Sequence, residues 1–356
     1  MGSTGGTDRE ADPGDRTVRG IDDEVVLLWV ARETGVLPAL LSSADTPEEA
    51  AAEAGVSERA ARILARGLAD RGFFERVDGV YEPSNRSLGF LTRRDLRSVG
   101  TLPHRADLLA RYLALPEGVE TGDGDGPKPE HGDGSDGEDG VRADGEDGTG
   151  APATPSPTPV PEYWTVNRLG AVAATDRATV RALVTATVRE HPGAEDVIDV
   201  GGAPGVYARE FAERGYEAVL VDRPDAVGPT RPLLAREPVE VVAREYADEG
   251  TDLPAADLAF LPDVTRRLGP AANRRLFANV AAALSQGGTV VAVDHLRDRS
   301  DRGTAAALVS LATTTAGDVY PAERYREWLE DAGFVDGAVR PVPGTDRWAV
   351  VGRIPE

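Results

Sequence analysis

Residues 197–205 read VIDVGGAPG and residues 219–222 read VLVD, two β-branched runs that each carry an acid at or near their end. The segment between them, Val206 to Arg214, has the spacing of a short helix, so the three together form a βαβ unit. Gly201, Gly202 and Gly205 stand in the first turn, where a ligand can approach backbone that a Cβ would shield. Asp222 lies 17 residues after Gly205, where such folds place the acid that accepts from a ribose diol. A ribose-bearing ligand is therefore expected. The alternative, a tight turn with no ligand, does not account for paired acids at the ends of two strands. A dinucleotide would need the spacing G-x-G-x-x-G, with a free N–H where the pyrophosphate meets the helix. Here Ala203 and Pro204 break that pattern.

A chain of 356 residues has room for two domains with substantial cores. It contains no cysteine, which excludes disulfides and thiolate metal sites, and no other metal site is expected. No run approaches the roughly 20 apolar residues of a membrane span, and Met1 to Arg19 is polar rather than signal-like. A cytoplasmic protein with no membrane contact is expected. The net charge is −22, and the basic residues are arginines apart from Lys128. That balance resembles proteins adapted to high salt, where acidic surfaces stay hydrated and their repulsion is screened. The acidity then reports habitat rather than substrate.

Charge also divides the chain. Residues 117–150 hold twelve acids against Lys128 and Arg142, and a proline-rich run follows to Val160. With few apolar side chains, the stretch 117–160 cannot offset its ordering entropy, and it is expected to be a disordered, charge-extended insertion. A calcium-loop reading of its Asp-Gly repeats lacks the required ligand spacing and flanking helices. Residues 1–20 are likewise expected to be disordered. Between these segments, 21–116 reads as a helical module. Asp22 to Leu41 is a mostly apolar helix, Thr46 and Glu49 form a capping box with Pro47 at the first helical position, and Gly55 closes that helix. Ser57 caps a further helix to Arg71. The Asp78-Gly79 pair then joins two short strands in a hairpin.

Helix, turn, helix, hairpin is the order of a winged helix. Arg59, Arg62 and Arg66 fall on one face of the would-be recognition helix. Residues 1–116 nevertheless sum to −4, whereas a DNA reader carries a basic footprint. The expected partner of this module is instead a second copy of the chain, because the apolar helix needs a covering surface.

The turn 199–205, DVGGAPG, matches the signature of class I S-adenosylmethionine-dependent methyltransferases. The whole chain resembles the two-domain O-methyltransferases over about 21–115 and 162–354. The residues that carry the likeness are TPEEAAAEAGVSERAARILARGLADRGFFERVDGVYEPS (46–84), VDRP (221–224), VEVVAREYADEGTDLPAADLAFL (239–261), ALSQGGTVVAVDHL (283–296) and YREWLEDAGF (325–334). The resemblance implies an α/β fold: a Rossmann-like, seven-stranded methyltransferase domain over 161–356, preceded by a winged-helix dimerisation domain. It also implies S-adenosylmethionine as cofactor and a small-molecule methyl acceptor. Gly201, Gly202 and Gly205 would pack against its amino-acid and ribose portions. Asp199 would anchor the ammonium group and Asp222 the ribose hydroxyls. Glu245 and Tyr246 would flank adenine, unless that strand end simply faces solvent.

One departure from the family bears on catalysis. Where relatives place a histidine that deprotonates the acceptor, this chain has Arg266, which cannot act as a base near neutral pH. Arg266 could hold an anionic acceptor or be a surface residue. Methyl transfer depends chiefly on positioning, and an acceptor that is already an anion, or a carbon nucleophile, needs less base. Of the four histidines, His131 falls in the acidic stretch and His191 precedes the first strand of the sheet. His104 belongs to the helical region. His295 directly follows Asp294 at the carboxyl edge of the sheet, where ligands bind, and is the candidate base. Trp164, Asn167 and Arg168 lie just before the methyltransferase domain, and Trp164 is expected to be core. Two other readings stand beside methyl transfer: a cofactor-binding protein without catalysis, and a DNA-binding regulator.

Overall fold

A computed structural model describes residues 22–92, 100–121 and 163–356. Residues 1–20 and most of the acidic stretch, both expected to be disordered, lie outside the described residues. The chain divides into two compact units, Met1–Ala110 and Arg111–Glu356.

The first unit opens with α1 (Asp23–Glu33) and α2 (Val36–Ser42), where the composition predicts one continuous helix. Gly35 adopts a left-handed φ of 82°, and the axis turns by 74° there. The break folds the apolar face inward. Val25, Leu28 and Ala31 of α1 pack with Val36, Ala39 and Leu40 of α2 against the helices that follow. The covering surface expected from a second copy is thus largely supplied by the unit itself. Next, α3 (Pro47–Ala54) has the capping box: Thr46 Oγ1 accepts from Glu49 N at 3.3 Å, and Glu49 accepts from Thr46 N. Ser57 caps α4 (Glu58–Asp70), whose buried stripe is Ala61, Leu64, Ala65 and Leu68. The strands β1 (Phe74–Val77) and β2 (Val80–Pro83) pair antiparallel about Asp78 and Gly79, both at positive φ. Two helices complete this part of the chain: α5 (Asn85–Thr92) and α6 (Leu102–Thr121). The latter runs five residues into the stretch expected to be disordered.

The second unit is a seven-stranded sheet flanked by helices. Its leading helices are α7 (Trp164–Ala173) and α8 (Arg177–Glu190). Then come β3 (Asp196–Val200), α9 (Val206–Glu213), β4 (Glu217–Asp222), α10 (Pro224–Leu234), β5 (Val239–Ala243) and β6 (Ala256–Pro262). After a 3₁₀ turn at Thr265–Arg267 follow α11 (Pro270–Ala283), β7 (Leu284–Asp294), α12 (Gly303–Thr313), α13 (Ala322–Asp331), β8 (Val335–Pro341) and β9 (Trp348–Arg353). The strand order is β5-β4-β3-β6-β7-β9-β8, parallel except that β9 runs antiparallel to β7 and to β8. The order reverses between β3 and β6, so a crevice opens at their carboxyl ends.

Strand periodicity sorts the core into two layers. Ile198, Ala259, Leu261, Val290 and Ala292 face α11 and α13, packing on Phe277, Tyr325 and Trp328. Val197, Leu258, Phe260, Val291 and Val293 face the opposite layer, with Leu183 of α8 and Phe211 of α9. Phe260 is fully buried and meets Tyr207 and Phe211 edge to face, at centroid distances of 5.4 and 5.5 Å. This packing fixes the base of α9 under the glycine turn.

Candidate active site

The turn after β3 is shaped by the protein's own packing. Gly201 (φ 72°) and Gly205 (φ 91°) adopt left-handed backbone. A Cβ on Gly201 would collide with Val264, one on Gly205 with Leu234, and one on Gly202 with the carboxylate of Asp199. Glycine at 202 therefore makes room for Asp199. That acid is buried at the end of β3, where its Oδ2 accepts from Ala208 N of α9 at 3.1 Å. Its Oδ1 has no hydrogen-bond partner. Burial, then the nearby charge of Asp222, pushes its pKa up to about 8. A buried carboxyl with an orphaned oxygen is an acceptor suited to an ammonium group, since a cation there would restore the ionised form.

Asp222 ends the neighbouring strand, also buried. Its Oδ2 accepts from Ala203 N at 3.0 Å and its Oδ1 from Arg223 N at 2.8 Å. Each oxygen keeps a lone-pair direction for a further donor. The structure thus brings Asp199, Gly201, Gly202, Gly205 and Asp222 together at the switch point. It divides the pair after β5. Glu245 is exposed, whereas Tyr246 turns into the core beside Val200 and Val264, with its hydroxyl near Gly201. Burial, then Asp222, pushes the Tyr246 hydroxyl up to about 12. A small, open cleft lies in front of the turn, lined by Thr175, Gly202, Tyr207, Asp263 and Arg267 among others.

Beyond β6 the chain makes a cluster of charges. Asp263 has a left-handed φ of 53°. Its carboxylate accepts from Arg347 Nε at 2.8 Å and Nη2 at 2.9 Å, and also from Arg266 Nη1. Burial alone would raise this acid, but Arg266 and Arg347 hold it far below the usual carboxylate range. Arg266 Nη1 also donates to Asp294 Oδ1 at 2.7 Å. Through Nη1 the guanidinium thus bridges two carboxylates, and the side chain is mostly buried rather than a surface group.

His295 is buried at the carboxyl edge of β7. Its Nε2 lies 2.5 Å from Arg347 Nη1, which can only donate, so Nε2 is the acceptor and Nδ1 carries the proton. Nδ1 is 3.2 Å from Asp346 Oδ2, within ion-pair distance but off hydrogen-bond alignment. Burial, then Arg347, lowers the histidine's pKa. The lone pair a base would use is thus occupied by Arg347. His191 Nδ1 sits 3.0 Å from Thr289 Oγ1, in the middle of β7.

Sequence reasoning missed Asp263, Arg267, Asp346 and Arg347. Only Asp263 and Arg267 carried a signal, being neighbours of Arg266 in the run after β6.

Residues 172–337 match the family described as "Methyltransferase domain". The tetracenomycin polyketide synthesis 8-O-methyl transferase of Streptomyces glaucescens is 33% identical over 168 residues, 44% of this chain and 49% of that protein. The chain thus spans about half the length of this curated relative. Human N-acetylserotonin methyltransferase in complex with S-adenosylmethionine is similar in structure over 98% of this chain and 99% of its own, with a TM-score of 0.57 and 18% identity. An O-methyltransferase family protein from Burkholderia thailandensis shares 17% identity over 98% and 99% of the two chains, at a TM-score of 0.60. Residues 172–337 thus match a methyltransferase domain, and the chain has the fold of these two methyltransferase structures.

Proposed function

We propose that the chain is an S-adenosylmethionine-dependent methyltransferase that acts on an oxygen of a small molecule. The observation that carries this reading is Asp199, a buried acid with one unpartnered oxygen beneath the glycine turn, beside Asp222 on the adjacent strand. Asp199 would hold the ammonium group of the cofactor and Asp222 its ribose hydroxyls. The turn at Gly201, Gly202 and Gly205 would support the amino-acid and ribose portions, and Glu245 and Tyr246 would bound the adenine. When bound, the sulfonium supplies a methyl group already activated for transfer. What the chain then contributes is orientation of the acceptor in line with that methyl and exclusion of water. The curated relative, an O-methyl transferase of polyketide synthesis, supports oxygen as the target. Calorimetry tests the reading. S-adenosylhomocysteine should bind and NAD should not, and Asp222→Ala should weaken the former by about 1–3 kcal/mol. Tight NAD binding, or unchanged affinity in Asp222→Ala, refutes it.

A non-catalytic cofactor-binding protein is favoured by one observation, the engaged lone pair of His295. Incubation of a metabolite extract with labelled S-adenosylmethionine separates the two, since only an enzyme passes the label on. A DNA-binding role has less support, because Arg62 on the exposed face of α4 is within ion-pair distance of Glu48 and Glu58. We further propose that 21–116 is a winged helix through which the protein forms a homodimer, in the cytoplasm of a cell with high internal salt. Support for the dimer lies in apolar side chains exposed on this unit, Ile63, Val77 and Leu88.

A further inference from the structure

Arg267 on the cleft wall and Arg168 on α7 have no carboxylate of their own. Arg267 lines the cleft, and among the described residues its guanidinium makes no hydrogen bond or ion pair. Arg168 on α7 has Nη1 buried without a partner. Burial, then the charge of Arg267, lowers Arg168 to about 10, so the two cations lie close enough to act on each other. Asp222 acts on Arg168 electrostatically but gives its oxygens to Ala203 N and Arg223 N. Asp263, on the cleft wall beside Arg267, is committed to Arg266 and Arg347. The protein therefore presents uncompensated positive charge where a ligand would sit. Partly buried cations left in this state need an anion to complete them.

The titratable groups of the cleft wall offer no base to create that anion. Burial, then Asp263, raises the Tyr207 hydroxyl, which stays protonated. Asp263 is too acidic to take a proton, and His295 has its acceptor nitrogen against Arg347.

We propose that the methyl acceptor enters this cleft already ionised, as a carboxylate or an acidic phenol, and that Arg267 is its counter-ion, with no general base in the transfer. The inference rests on the methyltransferase reading and names its substrate class. In the step, the anionic oxygen forms its bond to the methyl carbon as the carbon–sulfur bond breaks. The electron pair of that bond stays on sulfur, the sulfonium becomes a neutral thioether, and no proton is released. Because the oxygen's charge is largest before transfer and gone after it, Arg267 stabilises the bound acceptor more than the transition state. Its contribution should appear in KM rather than in kcat.

The full chain, saturated with S-adenosylhomocysteine, can be titrated calorimetrically with 1-hydroxy-2-naphthoate and with the matching uncharged amide, 1-hydroxy-2-naphthamide. The carboxylate should bind at least tenfold tighter than the amide. Arg267→Met should abolish that preference, Arg267→Lys should restore most of it, and S-adenosylhomocysteine affinity should stay at the wild-type level in both variants, which also reports that they fold. Equal affinity for the two probes, including no binding of either, overturns the proposal. Loss of S-adenosylhomocysteine affinity in Arg267→Met, in step with loss of naphthoate, overturns it too, because the anion would then be the cofactor's own carboxylate. Failure of the wild-type chain to bind S-adenosylhomocysteine at all would instead refute the methyltransferase reading.

Discussion

Replacing Asp199 by asparagine should make the ligand-free protein more stable while removing its ability to hold the cofactor. The carboxyl titrates near 8 in the fold against an ordinary value of 3.8. A group whose pKa is raised on folding keeps its full contribution below the unfolded value and loses it as pH rises through the folded value. Each unit is worth about 1.4 kcal/mol, so at pH 7 the burial of this acid destabilises the native state by up to ~4 kcal/mol. Asparagine preserves the shape and can accept from Ala208 N as Asp199 Oδ2 does. It also places an amide N–H₂ where Oδ1 has no partner, which returns about 1–3 kcal/mol. A net gain of about 1–3 kcal/mol at pH 7 remains, equivalent to a rise of roughly 3–10 °C in Tm for a unit of this size. The difference between variant and wild type should be small near pH 4, widen up to pH 8 and then level off. Scanning calorimetry across that range reads it directly, with S-adenosylhomocysteine titrated into the same samples. Identical Tm values for the two proteins from pH 4 to pH 8 would show that burial does not hold Asp199 protonated, and would refute this reasoning.

Other residues give sharper local tests. Arg266→Ala leaves Asp263 and Asp294 without a shared cation and should destabilise by about 3–5 kcal/mol in denaturant unfolding, rather than act on ligand affinity. His295 is neutral in the fold, its pKa lowered by burial and then by Arg347, so stability should fall as pH drops below the unfolded value of about 6.5. His295→Gln should flatten that acid limb, measured as the urea midpoint between pH 5 and 7.5; an unchanged limb would mean that the imidazole is not held neutral. Thr46→Ala removes one half of the capping box and should lower stability by about 1 kcal/mol, seen in the unfolding of the first unit.

What could be read in advance was local. The glycine turn, the two acids and the succession of strands each follow from short runs of sequence, because a βαβ unit encodes itself within about 30 residues. The capping box at Thr46 and the Asp78-Gly79 hairpin are of the same kind. The break at Gly35 was hidden because the apolar run continues through it, and one glycine does not announce whether its φ is negative or positive. At the site, sequence pointed to Arg266, while the cleft is lined by its neighbour Arg267. In a 3₁₀ turn adjacent side chains diverge by about 120°, so only the folded backbone decides which one meets the ligand. His295 stands on the edge where it was expected. The arginine that engages it lies 52 positions away, beyond the reach of any local pattern.

The strand order gives that distant arginine a place in time as well as in space. Arg347 directly precedes β9, which inserts between β7 and β8, and it grips Asp263 from 84 positions away. Contacts of that separation form after local ones, because the intervening loop must close first. A folding chain can therefore assemble the parallel strands around Asp199 and Asp222 while Asp263 still awaits its second guanidinium. The wall of the cleft opposite the glycine turn would be the last part of the site to acquire its final charge, and an intermediate lacking β9 would have the cofactor side of the crevice without a finished acceptor side.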